Sequence, residues 1–288
     1  MTTPISTVDL DTLRETMRRA LLDLATIPDD ALEGPWPWPD HGELELRNGF
    51  FITIEDLERT AADIGRLGDG RTRAEATVTP AAVAAWDVLG VLATTREEDL
   101  DADPGGGEWT IRRALAHTLA SQRSYAIYTD WWRQQRFTGG TWPLPEPPDG
   151  LDAPDLDETG ADGSLDEVRR RFHEFLDEAA SRLADLGDAE LDLAARWYGT
   201  GVTVGYRQGR WSVHMAEHTI QVEKTLVMLG RAPTEVDRLV RRVARAWGWI
   251  ERSLWPVPAN DAAPAIAAAV ATRTAATAAD LADTARRG

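Results

Sequence analysis

Apolar residues recur at steps of three and four through Leu10, Leu13, Met17, Leu21 and Leu24, which predicts an amphipathic helix near the start of the chain. From Glu33 to Arg47, Pro35, Pro37 and Pro39 alternate with Trp36 and Trp38. Each proline fixes φ and turns its predecessor away from helix, so this stretch reads as a loop that pins two tryptophans. Thr53 then reads as an N-cap for a helix carrying Leu57, Ala61, Ile64 and Leu67, stopped by Gly68. Thr79-Pro80 opens a third helix with Val83, Trp86 and Leu89 on its buried face. Thr110, after the run Gly105 to Gly107, opens a fourth that passes His117 towards Trp132.

Residues 138–163 are rich in Pro, Gly and Asp without apolar period, and predict a long acidic loop, either a lid or solvent-facing slack. Ser164 and Glu167 form a capping box for a fifth helix with Val168, Phe172, Phe175, Leu176, Ala179 and Leu183 inward. Between Trp197 and Arg210, Val202, Val204 and Tyr206 alternate with small or polar residues, a hairpin or an extended loop. Ser212 then caps a helix to Leu229, ended by Gly230, and Thr234 caps another with Val236, Leu239, Val240, Val243, Trp247 and Ile250 inward. The alanine-rich tail from Ala262 offers only Ile266, Val270 and Leu281 as an apolar face, which fits weak packing or a partner subunit, hence a homodimer. The sum is an all-α bundle. It divides into an N-terminal helical extension over 1–70, a central bundle over 71–255 and a C-terminal helix over 256–288.

Composition narrows the chemistry. A net charge of −17 repels nucleic-acid phosphates and anionic lipid, so nucleic acid and membrane are excluded as partners. Without cysteine there is no disulfide, thiolate metal site or cysteine nucleophile, and Lys224, the single lysine, leaves little scope for Schiff-base chemistry. The opening residues lack the basic start and apolar run of a secretory signal, and the apolar stretch Val78 to Thr95 is interrupted by Asp87 and too short for a bilayer span. The expected location is the cytoplasm.

Any metal must therefore sit on His, Asp or Glu. His214 and His218 stand four apart on one predicted helix, so both rings share a face; such a pair arises by chance in about one chain in ten of this composition. The segment W-T-I-R-R-A-L-A-H-T-L from Trp109 parallels W-S-V-H-M-A-E-H-T-I from Trp211, and His117 takes the place in the first that the pair takes in the second. If the two helices pack together, His117, His214 and His218 converge on one ion with positions left for water or substrate. Imidazole ligation suits Zn first, and also Ni, Fe or Mn. By helical phase, Gln221 faces the same way and orients water or substrate, while Ser121 and Arg113 lie four residues either side of His117. Arg123 and Arg210 are candidate clamps for a substrate carboxylate. Trp131, Trp132 and Trp142 are candidates to line a pocket, Glu217 to face solvent or hold an imidazole N–H, and His41 and His173 to serve surface or packing roles.

The pattern of Trp109-Thr110 with His117, then Trp211-Ser212 with His214 and His218, resembles the DinB/YfiT-like superfamily of four-helix metalloproteins. The likeness runs from about Thr79 to Leu254 and includes the segment Leu229 to Glu235. It implies an up-down-down-up four-helix bundle whose three-histidine metal site maps onto His117, His214 and His218. Relatives include S-transferases and isomerases that use mycothiol, bacillithiol or glutathione on a small electrophile, along with members of no known activity. The arginine-rich composition fits a GC-rich genome, which makes mycothiol the thiol to test. Relatives with a His-x3-His-x-Glu arrangement differ, because position 220 here is Ile220. The leading expectation is a metal- and thiol-dependent transferase or isomerase. A metal-dependent hydrolase and a non-catalytic metal-binding stress protein are the alternatives.

Overall fold

The computed structural model describes residues 9–38, 42–138, 143–151 and 159–288. The fold is all-α with two small antiparallel hairpins. It divides into two compact units, the first comprising Met1–Gly70, Leu89–Thr94 and Pro233–Gly288, the second Arg71–Val88 and Thr95–Ala232. Residues 233–255, grouped in the sequence with the central bundle, thus lie in the first unit.

In the first unit, α1 (Leu10–Ala25) is capped by Asp9, whose side chain accepts from the Asp11 amide. The proline-tryptophan segment is not a loop but the strand β1 (Pro35–Trp38), paired with β2 (Gly42–Glu45) so that Trp36 opposes Leu44. Pro35 and Pro37 fall on one side of the strand's hydrogen-bonding alternation, so the missing donors leave the ladder intact. Trp36 is buried and its Nε1 donates to Asp280 Oδ2 at 2.7 Å. Helix α2 (Leu46–Arg66) begins seven residues before the expected cap. The Leu46 and Arg47 amides donate to the Gly34 and Leu32 carbonyls, and this turn starts the helix. Thr53 sits buried inside it, its hydroxyl donating to the Gly49 carbonyl one turn back.

Two further helices of the first unit, α8 (Glu235–Glu251) and α9 (Ala263–Arg287), pack on α1 and α2. The expected inward residues of α8 are buried, and Thr234 forms a capping box with Asp237. Helix α9 packs closely rather than weakly: Ala263, Ala267, Ala271 and Ala278 are buried beside Val270 and Leu281. Small side chains let the backbones approach, and a Cβ on Gly49 would come within 2.3 Å of Leu281 Cδ2. Of the apolar face that motivated a partner subunit, Val270 and Leu281 are covered within the unit and Ile266 is half-buried. Arg14 Nε donates to Glu251 Oε1 at 2.9 Å, with both side chains buried.

In the second unit, a helical run starts earlier than Thr79-Pro80. Thr72 caps α3 (Arg73–Val78) through a capping box with Glu75, and α4 (Pro80–Thr94) follows after a single turn residue, its end from Leu89 to Thr94 belonging to the first unit. Thr110 caps α5 (Ile111–Gln135) and Ser164 caps α6 (Leu165–Arg182), both as the sequence predicts. The extended segment is shorter than expected: β3 (Ala194–Trp197) pairs with β4 (Thr200–Thr203), and α7 (Val204–Met228) begins at once. Thr203 is the N-cap, accepting from the Tyr206 amide, so Val204 and Tyr206 are helical and Ser212 lies two turns inside. Helix α5 packs chiefly on α7 and α6.

Among the described residues one helical run, Arg73–Thr94, is long and apolar enough by length and composition to cross a membrane, contrary to the shorter span read from the sequence. Most of it is buried in the fold, as a core helix is.

Candidate metal centre

His117 faces inward from α5, and His214 and His218 from the adjoining α7. Their ligand atoms all lie within 4.8 Å of one another, a grouping that can hold a metal ion. The Nε2 atoms of His214 and His218 are 3.1 Å apart. That is close to the separation of about 3.3 Å that two nitrogens bound at 2.0–2.1 Å have on a tetrahedral zinc. His117 closes the triangle, its ring centroid 5.3 Å from that of His214 and 4.8 Å from that of His218.

The surroundings lower the basicity of His214 and His218 and orient the second of them. Burial pushes His214 down to about 3, with His218, His117 and Arg210 adding repulsion in that order. His218 is also lowered, first by burial, against the raising effect of its bond to Gln221. Gln221 Oε1 lies 2.7 Å from His218 Nδ1 and has no proton to give, so Nδ1–H donates and Nε2 keeps its lone pair for the cluster. Gln221 is thus a positioning residue for His218, more specific than the loose orienting role assigned from helical phase. Ser121 Oγ stands 3.4 Å from His117 Nε2.

Trp109 covers the cluster from just before the α5 cap. Its ring meets His117 edge-on at 5.3 Å and lies parallel to His218 at 6.4 Å. The Arg113 guanidinium lies 4.7 Å over the Trp109 ring, outside the triad itself. The matching Trp211 is fully buried inside α7. The two W-[ST] segments are therefore alike in letters only: Thr110 is a cap and Ser212 is not, because α7 begins eight residues before it.

The clamp candidates fare differently. Arg123 is turned towards α6, where its Nε donates to Glu178 at 3.0 Å and its guanidinium lies over Phe175, so it does not reach the cluster. Arg210 is near, but it is held by Glu217 at 3.1 Å, by the Tyr125 hydroxyl and over the Trp197 ring. Glu217 serves Arg210 rather than an imidazole. His173 is buried with its ring 5.0 Å from Trp86, a packing role on a face the sequence had placed beside the core. His41 and Trp142 lie outside the described residues.

A cavity of about 670 Å³ opens beside the triad, lined by His117, His214, Ser121, Tyr125, Tyr128 and Trp132, among others. Trp131 packs edge-on against Trp132 and is not in the lining. Residues 146–150 of the acidic segment form one wall, so this part is no slack; Arg196 anchors it by donating to the Leu144 carbonyl at 2.9 Å and pairing with Glu146. Trp197 and Tyr198 form another. Tyr198 and Gly199 both take positive φ, 45° and 75°, in the two-residue turn between β3 and β4. The α5 side of this lining follows from His117 by steps of three and four, a phase readable in the sequence. Arg207, Trp197 and Tyr198 were missed because the segment containing them read as one extended piece.

Residues 81–222 match the sequence model of the DinB superfamily. This part of the chain belongs to the DinB superfamily. The DinB segment runs from α4 into the last turns of α7, holds all three histidines and Gln221, and ends before the Leu254 limit read from the motifs. Curated proteins and solved structures give no match.

Proposed function

We propose that this DinB-superfamily chain is a metal-dependent enzyme, an S-transferase or isomerase that uses a small thiol of the mycothiol type to act on a small electrophile. The observation that carries the reading is the meeting of three imidazoles beside a cavity of about 670 Å³ that His117 and His214 help to line. The donor set fits a divalent cation, zinc first and then Ni, Fe or Mn: three imidazole rings, one oriented by Gln221, with open space beside them. His117, His214 and His218 would hold it. A divalent cation at such a site supplies Lewis acidity, bringing a thiol or water to deprotonation near neutral pH.

The chain's own residues do the rest. Trp109 shields one side of the cluster, and the aromatic walls displace water from an electrophile and set its approach. Since no cysteine is present, the reacting thiol has to come from solution. The expected setting is the cytoplasm, with small molecules rather than nucleic acid or membrane as partners.

The test is elemental analysis and turnover together. Zinc-loaded protein is expected to contain one ion per chain and to conjugate mycothiol or glutathione to a haloarene or epoxide, and His218→Ala to lose both. Retained metal with no turnover on any thiol would leave a metal-binding protein. Turnover without added thiol would make the site hydrolytic.

A further inference from the structure

Arg207 has no carboxylate partner among the described residues. Its side chain is 6% exposed, and the bond it makes is from one guanidinium nitrogen to the Arg196 carbonyl at 2.6 Å, while Nε has no partner. It lines the cavity beside the triad, its guanidinium 5.9 Å from the ring centroids of both Tyr125 and Tyr128. Other arginines of the region are neutralised: Arg196 by Glu146, Arg210 by Glu217. Asp149 also lines the cavity, but it is exposed at the edge, where solvent screens it.

An uncompensated buried charge is costly, and a guanidinium does not escape by releasing its proton. Burial lowers Arg207 to about 10, which leaves it charged at neutral pH. Its planar fork, with donors still unused, is made for a carboxylate or similar oxyanion. Arg207 and His214 stand seven residues apart on α7, about 10 Å along the axis, and aromatic side chains line the space around them. That is the span of one ring with a short arm.

We infer that Arg207 is the anchor for a carboxylate on the substrate, so that the site takes a small, anionic, ring-sized electrophile with its reacting end towards the histidines. This rests on the proposed reading of the cavity as the active site, but the anion subsite is testable without it. Calorimetric titration of the metal-free full chain with phenylacetate and with its neutral amide separates the two questions, because no metal is then present to hold the carboxylate.

Wild type is expected to prefer phenylacetate by roughly ten- to a hundredfold, the worth of a hydrogen bond to a charged group. Arg207→Gln is expected to lose that preference while still taking up zinc. Tyr128→Glu, which delivers a carboxylate to Arg207 from across the cavity, is expected to lose it too, and guards against misfolding of the first variant. Equal affinity of wild type for acid and amide, or an unchanged preference in a folded Arg207→Gln or Tyr128→Glu, overturns the assignment. Absence of zinc uptake by wild type would overturn the metal reading and leave the anion result standing.

Discussion

The chemistry of the site depends on the protonation of single side chains. His218 presents the Nε2 lone pair to the cluster because Gln221 Oε1 accepts a hydrogen bond from its Nδ1–H. Replacing Gln221 by Leu removes that acceptor, and zinc affinity is expected to fall about 10- to 100-fold, read by competition with a chromophoric chelator. An unchanged affinity would mean that packing alone orients the ring. His214 makes a second prediction. Its folded value, about 3, lies below the ordinary 6.5, so the folded state binds fewer protons. Its contribution is complete above about pH 6.5 and is lost as pH falls towards 3, with a slope of at most about 1.4 kcal/mol per pH unit. Urea unfolding of metal-free protein between pH 7 and pH 4 should show wild type losing stability more steeply than His214→Gln; parallel slopes would refute the depressed value. The triad was legible because five histidines are few and spacing pairs two of them. Arg207 was not, because burial without a carboxylate partner is a property of the folded neighbourhood.

At the scale of elements, close approach decides what a substitution costs. A Cβ on Gly90 would come 2.7 Å from the Arg241 Cα, and backbone on α8 has no rotamer with which to yield. Gly90→Ala is therefore expected to destabilise by about 1–3 kcal/mol despite alanine's better helix propensity. Gly65, in the last turns of α2, has nothing within 4 Å, and Gly65→Ala should stabilise by up to about 1 kcal/mol. Thermal melts of the two variants check the contrast; a shift of the same sign in both would contradict the packing described. Helix starts were legible where a local capping signal acts alone, as at Thr110, Ser164 and Thr234. At Thr53 and Ser212 the same letters sit inside helices, because backbone bonds from a preceding turn or hairpin had already started the helix upstream.

For the whole molecule, stability and site chemistry separate by unit. Glu251 and Arg14 form a buried pair in the first unit, and Glu251→Ala is expected to cost up to about 3 kcal/mol, because the buried guanidinium loses its buried carboxylate while keeping the exposed Asp11 at 3.3 Å. The triad belongs to the second unit, so metal stoichiometry should not change; loss of metal in folded Glu251→Ala protein would contradict that separation. Zinc at a hundredfold excess over its dissociation constant should stabilise wild type by about 2.7 kcal/mol and His218→Ala not at all, measured as a rise in the thermal midpoint. The sequence by itself determined the all-α class, most helices and their caps, and the identity of the three histidines, since periodicity, capping and rare residue types act between near neighbours in the chain. Tertiary structure alone decided the close seating of the alanine-rich α9, the cavity walls from residues 146–150 and the β3–β4 turn, and the unpaired burial of Arg207. Each of these arises from groups far apart along the chain, whose distances and shared exclusion of water exist only once the backbone has closed on itself.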